Sequence, residues 1–400
     1  MRFKNIYFNI YSRVKIYSNI FYIIMNKIPI YKPFLEKYKS SSLDAINSEW
    51  ISNHGKYIEL ATNKFKEILD TKHVILMNNG TTSTHCLFLS LKYKFPNIKK
   101  IYVPNNVYVA VYNCALMVYP EENLEIMEID EQTWNMKETN DYIESLEKDS
   151  AIVIVHNIGG IINVDRIKNI RPDIVLIEDN CEGLFGKYNG KYTGTSENVL
   201  CSSVSFYGNK TITTGEGGAF ITNDNDVYNY IKKAYSQGMS DKKFVHDVHA
   251  YNYRMTNVQA GFLYEQLNDI TTILDMKKNV FDNYQKLLQN DILIGNISIQ
   301  KINSNCERAN WMFAIKLNNC TMSIDELNNY FTTENNIEIR PFFYPFNAHK
   351  HLKCILSHTN ENVSNMLNSS IIMLPSFPEL KFEQQEYICD VIKKIYNSEL

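Results

Sequence analysis

Seven short β-branched runs alternate with helical stretches between about residue 60 and residue 240. Most of these runs are apolar on both faces, which is typical of strands buried inside a parallel sheet. Because parallel neighbours must be joined by a crossover, usually a helix, the alternation predicts an α/β fold with a mostly parallel sheet flanked by helices. The predicted strands are 73–77, 100–103, 124–129, 151–155, 174–177, 200–206 and 219–222.

Helical windows connect and follow these strands. Residues 82–91 and 107–119 are apolar but too short to cross a bilayer, so both are predicted to be core helices. From Asn257 to about Leu288 the apolar residues recur at helical spacing, which predicts one long helix that links two domains. Beyond it, the pattern indicates a smaller α+β domain, with elements at 292–299, 311–317 and 325–331.

We therefore expect an N-terminal extension over residues 1–27, a large α/β domain over 28–280 and a small α+β domain over 281–400. The extension is basic and aromatic, but its longest apolar run, from Ile20 to Met25, is far too short to cross a bilayer. An extra segment, or an alternative start at Met25, is favoured over an interfacial membrane anchor.

Composition excludes several classes of partner. A formal net charge of -3 provides no electrostatic reason to expect nucleic acid or a membrane surface. The eight cysteines are scattered and form no Cys-x-x-Cys pair, so they are read as reduced thiols of a cytoplasmic protein. The histidine pairs 246/249 and 349/351 lack acidic or cysteine partners at zinc spacing, and we expect no metal site.

Lys210 is the strongest single indication of chemistry. It lies in a turn of small and hydroxyl-bearing residues directly after the predicted strand 200–206. An amine held at the end of a buried strand is partly desolvated, which makes it a nucleophile able to condense with an aldehyde. Ser205 and Asn209 could donate hydrogen bonds to an anion beside it. Taken alone, this window fits a solvated lysine equally well.

An anion pocket is predicted where strand 73–77 ends. Asn79, Gly80, Thr81 and Thr82 follow that strand and open the next helix, so free backbone N–H groups and the positive end of the helix dipole converge there. The glycine allows close approach of the backbone, and the threonines add hydroxyl donors. An ordinary helix N-cap is the alternative, and for an isolated window it would be favoured.

Asp179 stands two residues after the predicted strand 174–177, so it should project from the carboxyl edge of the sheet, where α/β folds bind ligands. A buried carboxylate at that edge requires a cationic partner, and a protonated pyridine nitrogen would serve. A helix-capping aspartate is the alternative.

An anion pocket, a buried carboxylate and an amine, in this chain order, together match a site for pyridoxal 5'-phosphate.

At this point the chain resembles a known family, the DegT/DnrJ/EryC1/StrS sugar aminotransferases, which are fold-type-I pyridoxal phosphate enzymes. It looks closest to the perosamine-synthase-like members. The resemblance runs from about Ile28 to the C-terminus and implies a large domain with a mostly parallel seven-stranded sheet and a smaller C-terminal domain. The motifs that carry it are 28–31, 50–57, 79–82, 178–179, 205–218, 251–257 and 340–345.

The resemblance implies roles for individual residues. Lys210 would be the Schiff-base lysine and proton shuttle, and Asp179 the partner of the pyridinium nitrogen. Asn252 would reach the phosphate of the neighbouring subunit's cofactor, which implies a homodimer with shared active sites. The other implied contacts are to the phosphate (Gly80, Thr81, Thr82, Ser205), to the cofactor ring (Tyr108, Glu182) and to the substrate (Arg254, Arg340, Tyr344). A core tyrosine remains an alternative for Tyr108, and structural ion pairs remain alternatives for the two arginines.

The implied reaction is transamination of a nucleotide-linked keto sugar, a GDP- or dTDP-linked 4-keto-6-deoxyhexose, with glutamate or another amino acid as donor. Amination at another ring position, amination of a keto sugar without a nucleotide, and a catalytically silent binding protein stay open as alternatives. One departure from the family pattern bears on the substrate, and one retained residue argues against a dehydratase. Gly183, Leu184 and Phe185 stand where many relatives have Ala-His-Gly, and Lys210 stands where related dehydratases carry histidine.

Overall fold

The computed structural model describes residues 26–352 and 361–396. Its strands are β1 His73–Met77, β2 Lys100–Pro104, β3 Leu124–Met127, β4 Ser150–Val155, β5 Val175–Asp179, β6 Lys187–Tyr188, β7 Lys191–Tyr192, β8 Ser202–Ser205, β9 Gly218–Thr222, β10 Ile297–Ile299, β11 Cys306–Glu307, β12 Phe313–Leu317, β13 Arg340–Pro341 and β14 Ile371–Leu374.

The helices are α1 Ser40–Asn47, α2 Lys56–Leu69, α3 Gly80–Lys94, α4 Ala110–Leu116, α5 Asn140–Glu144, α6 Val164–Ile170, α7 Asn225–Ala234, α8 Asn257–Asn268, α9 Ile270–Leu287, α10 Gln289–Leu293, α11 Ile324–Asn328, α12 Glu361–Ser370 and α13 Phe382–Lys394. Within the described ranges, no helix combines the length and the apolar character that crossing a membrane requires.

A seven-stranded sheet in the order β1-β9-β8-β5-β4-β2-β3 forms the centre of the larger part of the molecule. β8, β5, β4, β2 and β3 are parallel neighbours, and β9 runs antiparallel to β1 and β8. All seven predicted strands belong to this sheet, so the predicted α/β class is confirmed. Val155 and Asp179 are the last paired residues of the parallel strands β4 and β5. Asp179 therefore lies at the carboxyl edge of the sheet, as predicted.

A second, antiparallel sheet in the order β10-β12-β14-β13 packs with α9 and α13 around its own apolar cluster. Ile28 joins that cluster and forms a parallel bridge with Ile337, so the first described residues pack beside the smaller sheet. β11, β6 and β7 form a third, small sheet. The predicted boundary at residue 280 falls inside α9, and the division into domains stays a prediction, as does the extension, most of which lies outside the described residues.

Three predicted elements have different bounds in the structure. The helix predicted over 107–119 is only Ala110–Leu116, because Asn106 has a left-handed backbone (φ 53°) and its amide donates to the carbonyl oxygens of Phe343 and Ser364. The single helix predicted over 257–288 is two helices that meet at Asp269, whose carboxylate accepts a hydrogen bond of 2.7 Å from the Tyr38 hydroxyl. Ile292 belongs to α10 rather than to a strand.

Candidate active site

A cavity of about 710 Å³ lies at the carboxyl edge of the seven-stranded sheet. On one side are the start of α3 and the ends of β5 and β8, and on the other are Trp311 and the segment that begins with β13. Nine of the predicted site residues line this single cavity: Gly80, Thr81, Tyr108, Asp179, Glu182, Ser205, Lys210, Arg340 and Tyr344. The structure therefore brings together groups that are as much as 264 residues apart in the chain.

The start of α3 forms one end of the cavity. Asn79 caps this helix, because its Oδ1 accepts a hydrogen bond of 2.9 Å from the backbone N–H of Thr82. Gly80 lies so close to the end of β8 that a Cβ at this position would be 2.6 Å from Ser205 Cβ. The first-turn N–H groups of a helix have no partner within the helix, so this end of the cavity is suited to an anion.

The two threonines of this turn differ in where they lie. Thr81 lines the cavity, and so does the buried Ser205 at the end of β8. The Thr82 hydroxyl lies instead 2.7 Å from Asn78 Oδ1 and 2.9 Å from the Asn79 carbonyl oxygen. In this structure both the backbone N–H and the hydroxyl of Thr82 serve the helix cap, so its predicted contact with a phosphate would require a rearrangement of the cap.

Asp179 presents a buried carboxylate to the cavity, with only 6% of the residue exposed. Oδ1 accepts a hydrogen bond of 3.0 Å from the Cys181 N–H, and Oδ2 accepts one of 3.3 Å from the Thr84 hydroxyl. The ion pairs among the described residues do not include Asp179. A buried carboxylate is costly without a cation beside it, so this position suits a positively charged group of a bound ligand.

Glu182 is the second buried carboxyl group in the cavity wall. Burial raises its pKa from the ordinary 4.5 to about 7, while the nearby Lys210 opposes that rise. Its Oε2 accepts a hydrogen bond of 2.9 Å from the backbone N–H of Ile158, a β-branched residue with left-handed backbone (φ 54°). A β-branched residue in that conformation is strained, and the turn holds it so that its N–H points at Glu182.

Lys210 reaches the cavity from the turn after β8, and its Nζ lies 4.1 Å from the centroid of the Trp311 ring. The indole N–H donates a hydrogen bond of 3.0 Å to the carbonyl oxygen of Asn209. Trp311 therefore covers Lys210 and is hydrogen-bonded to Asn209, the residue that precedes Lys210 in the chain.

Tyr108, Arg340 and Tyr344 line the open side of the cavity. Tyr108 precedes α4 and is 60% exposed, so it is not the core tyrosine that the apolar window allowed as an alternative. Its ring meets Phe343 edge to face at 6.3 Å. The Arg340 guanidinium stacks on Tyr31 at 5.4 Å, and Tyr344 is half exposed. These side chains are accessible to a ligand that enters from solvent.

Asn252 and Arg254 lie away from this cavity. Arg254 Nε donates a hydrogen bond of 2.9 Å to Asn252 Oδ1, and the guanidinium also reaches Ser236. Asn252 is exposed, so its side chain could serve only a site outside its own subunit's cavity. A substrate contact of Arg254 within one chain is not supported by this geometry.

The departure at Gly183, Leu184 and Phe185 has a packing explanation. A Cβ at Gly183 would be 2.5 Å from His156 Cδ2 and 2.6 Å from Asn180 Oδ1, so only glycine fits. Leu184 and Phe185 are buried in the cluster that packs α2 and α8 on the sheet. None of the three lines the cavity, and this segment therefore offers no polar side chain to a substrate.

Sequence reasoning missed Trp311 and Thr84. Thr84 could have been found, because it lies four residues after Gly80 on the same face of α3. Trp311 had no local signal, since it approaches Lys210 from a segment about 100 residues later in the chain. Among the described residues, no three His, Cys, Asp or Glu side chains come together in a way that could hold a metal ion.

The sequence profile of the DegT/DnrJ/EryC1/StrS aminotransferase family matches residues 36–393. This chain belongs to that family. The chain is also 32% identical over 377 residues to the GDP-perosamine synthase of Escherichia coli O157:H7, and the match covers 93% of this chain and 100% of that protein. The predicted family and the predicted aminotransferase class are thereby confirmed.

Solved structures confirm the fold. The Helicobacter pylori aminotransferase PseC, involved in the biosynthesis of pseudoaminic acid, matches with a TM-score of 0.83 and 20% identity over 93% of this chain and 100% of that one. The E. coli GDP-4-keto-6-deoxy-D-mannose-3-dehydratase with bound hydrated pyridoxal phosphate matches with a TM-score of 0.81 and 20% identity, covering 92% and 99%. Since one neighbour is a transaminase and the other a dehydratase, the fold alone does not decide the reaction.

Proposed function

We propose that this enzyme binds pyridoxal phosphate and transfers an amino group from an amino acid, glutamate in the first instance, to the keto carbon of a nucleotide-linked 4-keto-6-deoxyhexose. The observation that carries the proposal is the single cavity that joins an uncompensated buried carboxylate, a helix N-terminus and an amine. GDP is the favoured nucleotide because the relative with 32% identity is named a GDP-perosamine synthase.

The cavity residues fit this cofactor group by group. The start of α3, with Gly80 and Thr81, and the Ser205 hydroxyl would hold the phosphate. Asp179 would supply the missing charge partner by facing the protonated ring nitrogen. Tyr108 would lie against the ring, and Glu182 would approach its hydroxyl group. When bound, the cofactor supplies an aldehyde that accepts amines and a ring that withdraws electrons from the reacting carbon.

Lys210 is proposed to be the catalytic residue. In the first half of the reaction its Nζ would take the proton from the carbon that carries the donor's amino group and pass it to the cofactor. In the second half it would take a proton back and place it on the sugar carbon that receives the amine. The indole of Trp311 covers Nζ on one side and shields that side of the amine from water. A histidine at this position would lack the primary amine that bonds to an aldehyde, so the lysine favours transamination over dehydration.

Arg340 and the aromatic residues of the open side are proposed to bind the nucleotide sugar. A guanidinium can form paired hydrogen bonds with phosphate oxygens, so Arg340 would bind the diphosphate. Tyr108, Phe343 and Tyr344 offer flat apolar surfaces for the base or sugar. The segment 183–185 presents no polar side chain to the cavity. The sugar hydroxyls would therefore be bound by residues on the open side.

A homodimer with shared active sites is part of the proposal, and Asn252 would reach the phosphate in the neighbouring subunit. The exposed apolar side chains of Trp50 and Phe244, 63% and 77% exposed, provide surface that a second copy would cover. Light scattering should give twice the chain mass. Mixing K210A and N252A subunits under exchanging conditions should restore part of the activity that each variant lacks, because each hybrid contains one intact site.

Covalent trapping tests the central proposal. Borohydride reduction of the purified enzyme should attach the cofactor to the peptide that contains Lys210, and mass spectrometry should locate it there. K210A should give no adduct, whereas K191A, a change at an exposed lysine, should behave like the parent. An adduct on another lysine, or none in the parent, would reject the assignment.

Substrate trials separate the remaining alternatives. Glutamate should bleach the visible absorbance of the bound cofactor in the parent enzyme and leave K210A unchanged. Product analysis with GDP- and dTDP-linked 4-keto sugars, and with free keto sugars, distinguishes the nucleotide and the ring position. A protein that binds the cofactor but turns over no amino acid would instead fit the catalytically silent alternative.

A further inference from the structure

Lys277 is a buried cation that the proposed chemistry does not use. It lies on α9, is 3% exposed, and the hydrogen bonds of its Nζ go to backbone carbonyl oxygens rather than to carboxylates. Burial lowers its pKa to about 7. Its Nζ donates a hydrogen bond of 2.6 Å to the carbonyl oxygen of Trp311 and another to the carbonyl oxygen of Ser376. A lysine in such surroundings is costly, so its contacts indicate a role.

The two carbonyl groups belong to chain segments that build the smaller sheet. Trp311 precedes β12 and Ser376 follows β14, and the Ser376 hydroxyl accepts a hydrogen bond of 2.8 Å from the N–H of Phe313. Lys277 therefore joins α9 to both segments where they leave the sheet. Trp311 is fixed at two points, with its carbonyl on Lys277 and its indole N–H on the Asn209 carbonyl.

Lys277, Trp311 and Lys210 meet at one small cavity. All three line a space of about 20 Å³, which is room for about one water molecule. Trp311 is 5% exposed, and the face of its ring lies over Lys210 Nζ. Trp311 therefore contacts both lysines: its ring lies over Lys210 Nζ, and its carbonyl oxygen accepts a hydrogen bond from Lys277 Nζ.

We propose that Lys277 is a positioning residue that fixes the main chain of Trp311 so that the indole covers Lys210 Nζ. This inference rests on the proposed role of Lys210. The ring face of Trp311 lies over Lys210 Nζ and shields that side of the amine from solvent. Loss of the anchor would let the indole move away, and Lys210 would then be more reactive toward reagents in solution and less well placed for proton transfer.

The test measures Lys210 in the cofactor-free enzyme, so it does not depend on turnover. An amine-reactive reagent is applied for a short time, and the labelled peptides are counted by mass spectrometry. K277M keeps the volume of the side chain and removes its donors, and it should speed the labelling of Lys210 about two- to tenfold, as should W311L. K278M, a change at the exposed neighbour paired with Asp282, should leave the rate unchanged.

A double-variant cycle separates positioning from a general loss of structure. If Lys277 acts through Trp311, adding K277M to W311L should change the labelling rate of Lys210 by less than twofold. The fluorescence of Trp311 is measured as the emission that disappears when W311L is introduced. In the K277M background this emission should lie at longer wavelength than in the parent, because the indole gains contact with water. Additive effects in the cycle, unchanged labelling in K277M, or faster labelling of all buried lysines would overturn the proposal.

Failure of this inference is distinguishable from failure of the proposed function. Borohydride trapping on Lys210 reports on the proposed function alone, because the bond to the cofactor needs only the amine. A normal adduct together with unchanged labelling in K277M would reject the role of Lys277 and leave the function intact. The absence of an adduct in the parent enzyme would reject the function, while the labelling cycle would still measure the contact between Trp311 and Lys210.

Discussion

The two sides of the active-site cavity are built in different ways. The inner wall, defined as Gly80, Asp179 and Ser205, consists of residues at the ends of β5 and β8 and at the start of α3, and its two side chains are each 6% exposed. The outer wall, defined as Arg340, Phe343 and Tyr344, belongs to β13 and the chain that follows it.

The contrast follows from what each wall has to do. Groups that hold a cofactor must stay fixed, and the ends of buried strands and helices provide that rigidity. Groups that admit a large substrate must be accessible to solvent, and Tyr344 is 49% exposed. We therefore expect changes in the inner wall to affect both halves of the reaction and changes in the outer wall to affect only the half that uses the sugar.

The largest effect is expected for Asp179. D179A should lower the rates of both half-reactions by about 10²–10³-fold or more, because the ring nitrogen of the cofactor would lose the carboxylate proposed to keep it protonated. Single-turnover spectroscopy with glutamate, and separately with the keto sugar, measures the two halves. D141N, a change at an exposed aspartate of α5, is the control. A variant that retained a full rate with glutamate would contradict the role of the inner wall.

Arg340 should produce a smaller and more selective effect. R340A should raise KM for the nucleotide sugar about ten- to a hundredfold, as expected for the loss of a charged hydrogen bond to phosphate, with little change in the reaction with glutamate. Steady-state kinetics with each substrate varied in turn measures this difference. R340K should recover part of the loss. Equal damage to both half-reactions would show that the two walls are not separate in function.

Glu182 should produce the smallest effect, on stability. Its pKa is raised by burial to about 7 in the folded enzyme, so between pH 4.5 and 7 the folded state keeps a proton that the unfolded chain releases. The free energy of unfolding should therefore fall as the pH rises through this window, by roughly 1–3 kcal/mol in the cofactor-free enzyme.

Urea unfolding at several pH values measures this slope. E182Q cannot ionise and should show a smaller decline between pH 5 and 8 than the parent, whereas E386Q, a change at an exposed glutamate, should keep the parent's slope. Identical slopes for E182Q and the parent would mean that Glu182 is ionised in the cavity wall over this pH range.

The strands of the large sheet were predicted well because each buried strand is a short run of apolar, β-branched residues that can be recognised locally. β1 was predicted with its observed ends at His73 and Met77, and the other six strands were found with small shifts. The helices were less accurate where tertiary contacts decide their ends. The break at Asp269 depends on Tyr38, and the start of α4 depends on Asn106 bonding to Phe343 and Ser364, so neither end could be found from local spacing.

The candidate site divides in the same way. The motifs at Asn79, Asp179 and Lys210 lie where strands end, so α/β topology alone places them along one edge of a sheet. Thr82 carries the right hydroxyl but turns it to the helix cap, and Asn252 lies outside the cavity of its own chain. Both outcomes depend on rotamers and contacts that the residue types do not reveal.

The sequence by itself determined the α/β class, the order of the strands along the chain and the chemical groups of the inner wall, because strand periodicity and the residues that end each strand are local properties. Only the tertiary structure decided that Trp311 covers Lys210 and that Lys277 anchors Trp311. Those contacts join segments far apart in the chain, and they form only when the turn after β8, the segment before β12 and α9 come together in the folded molecule.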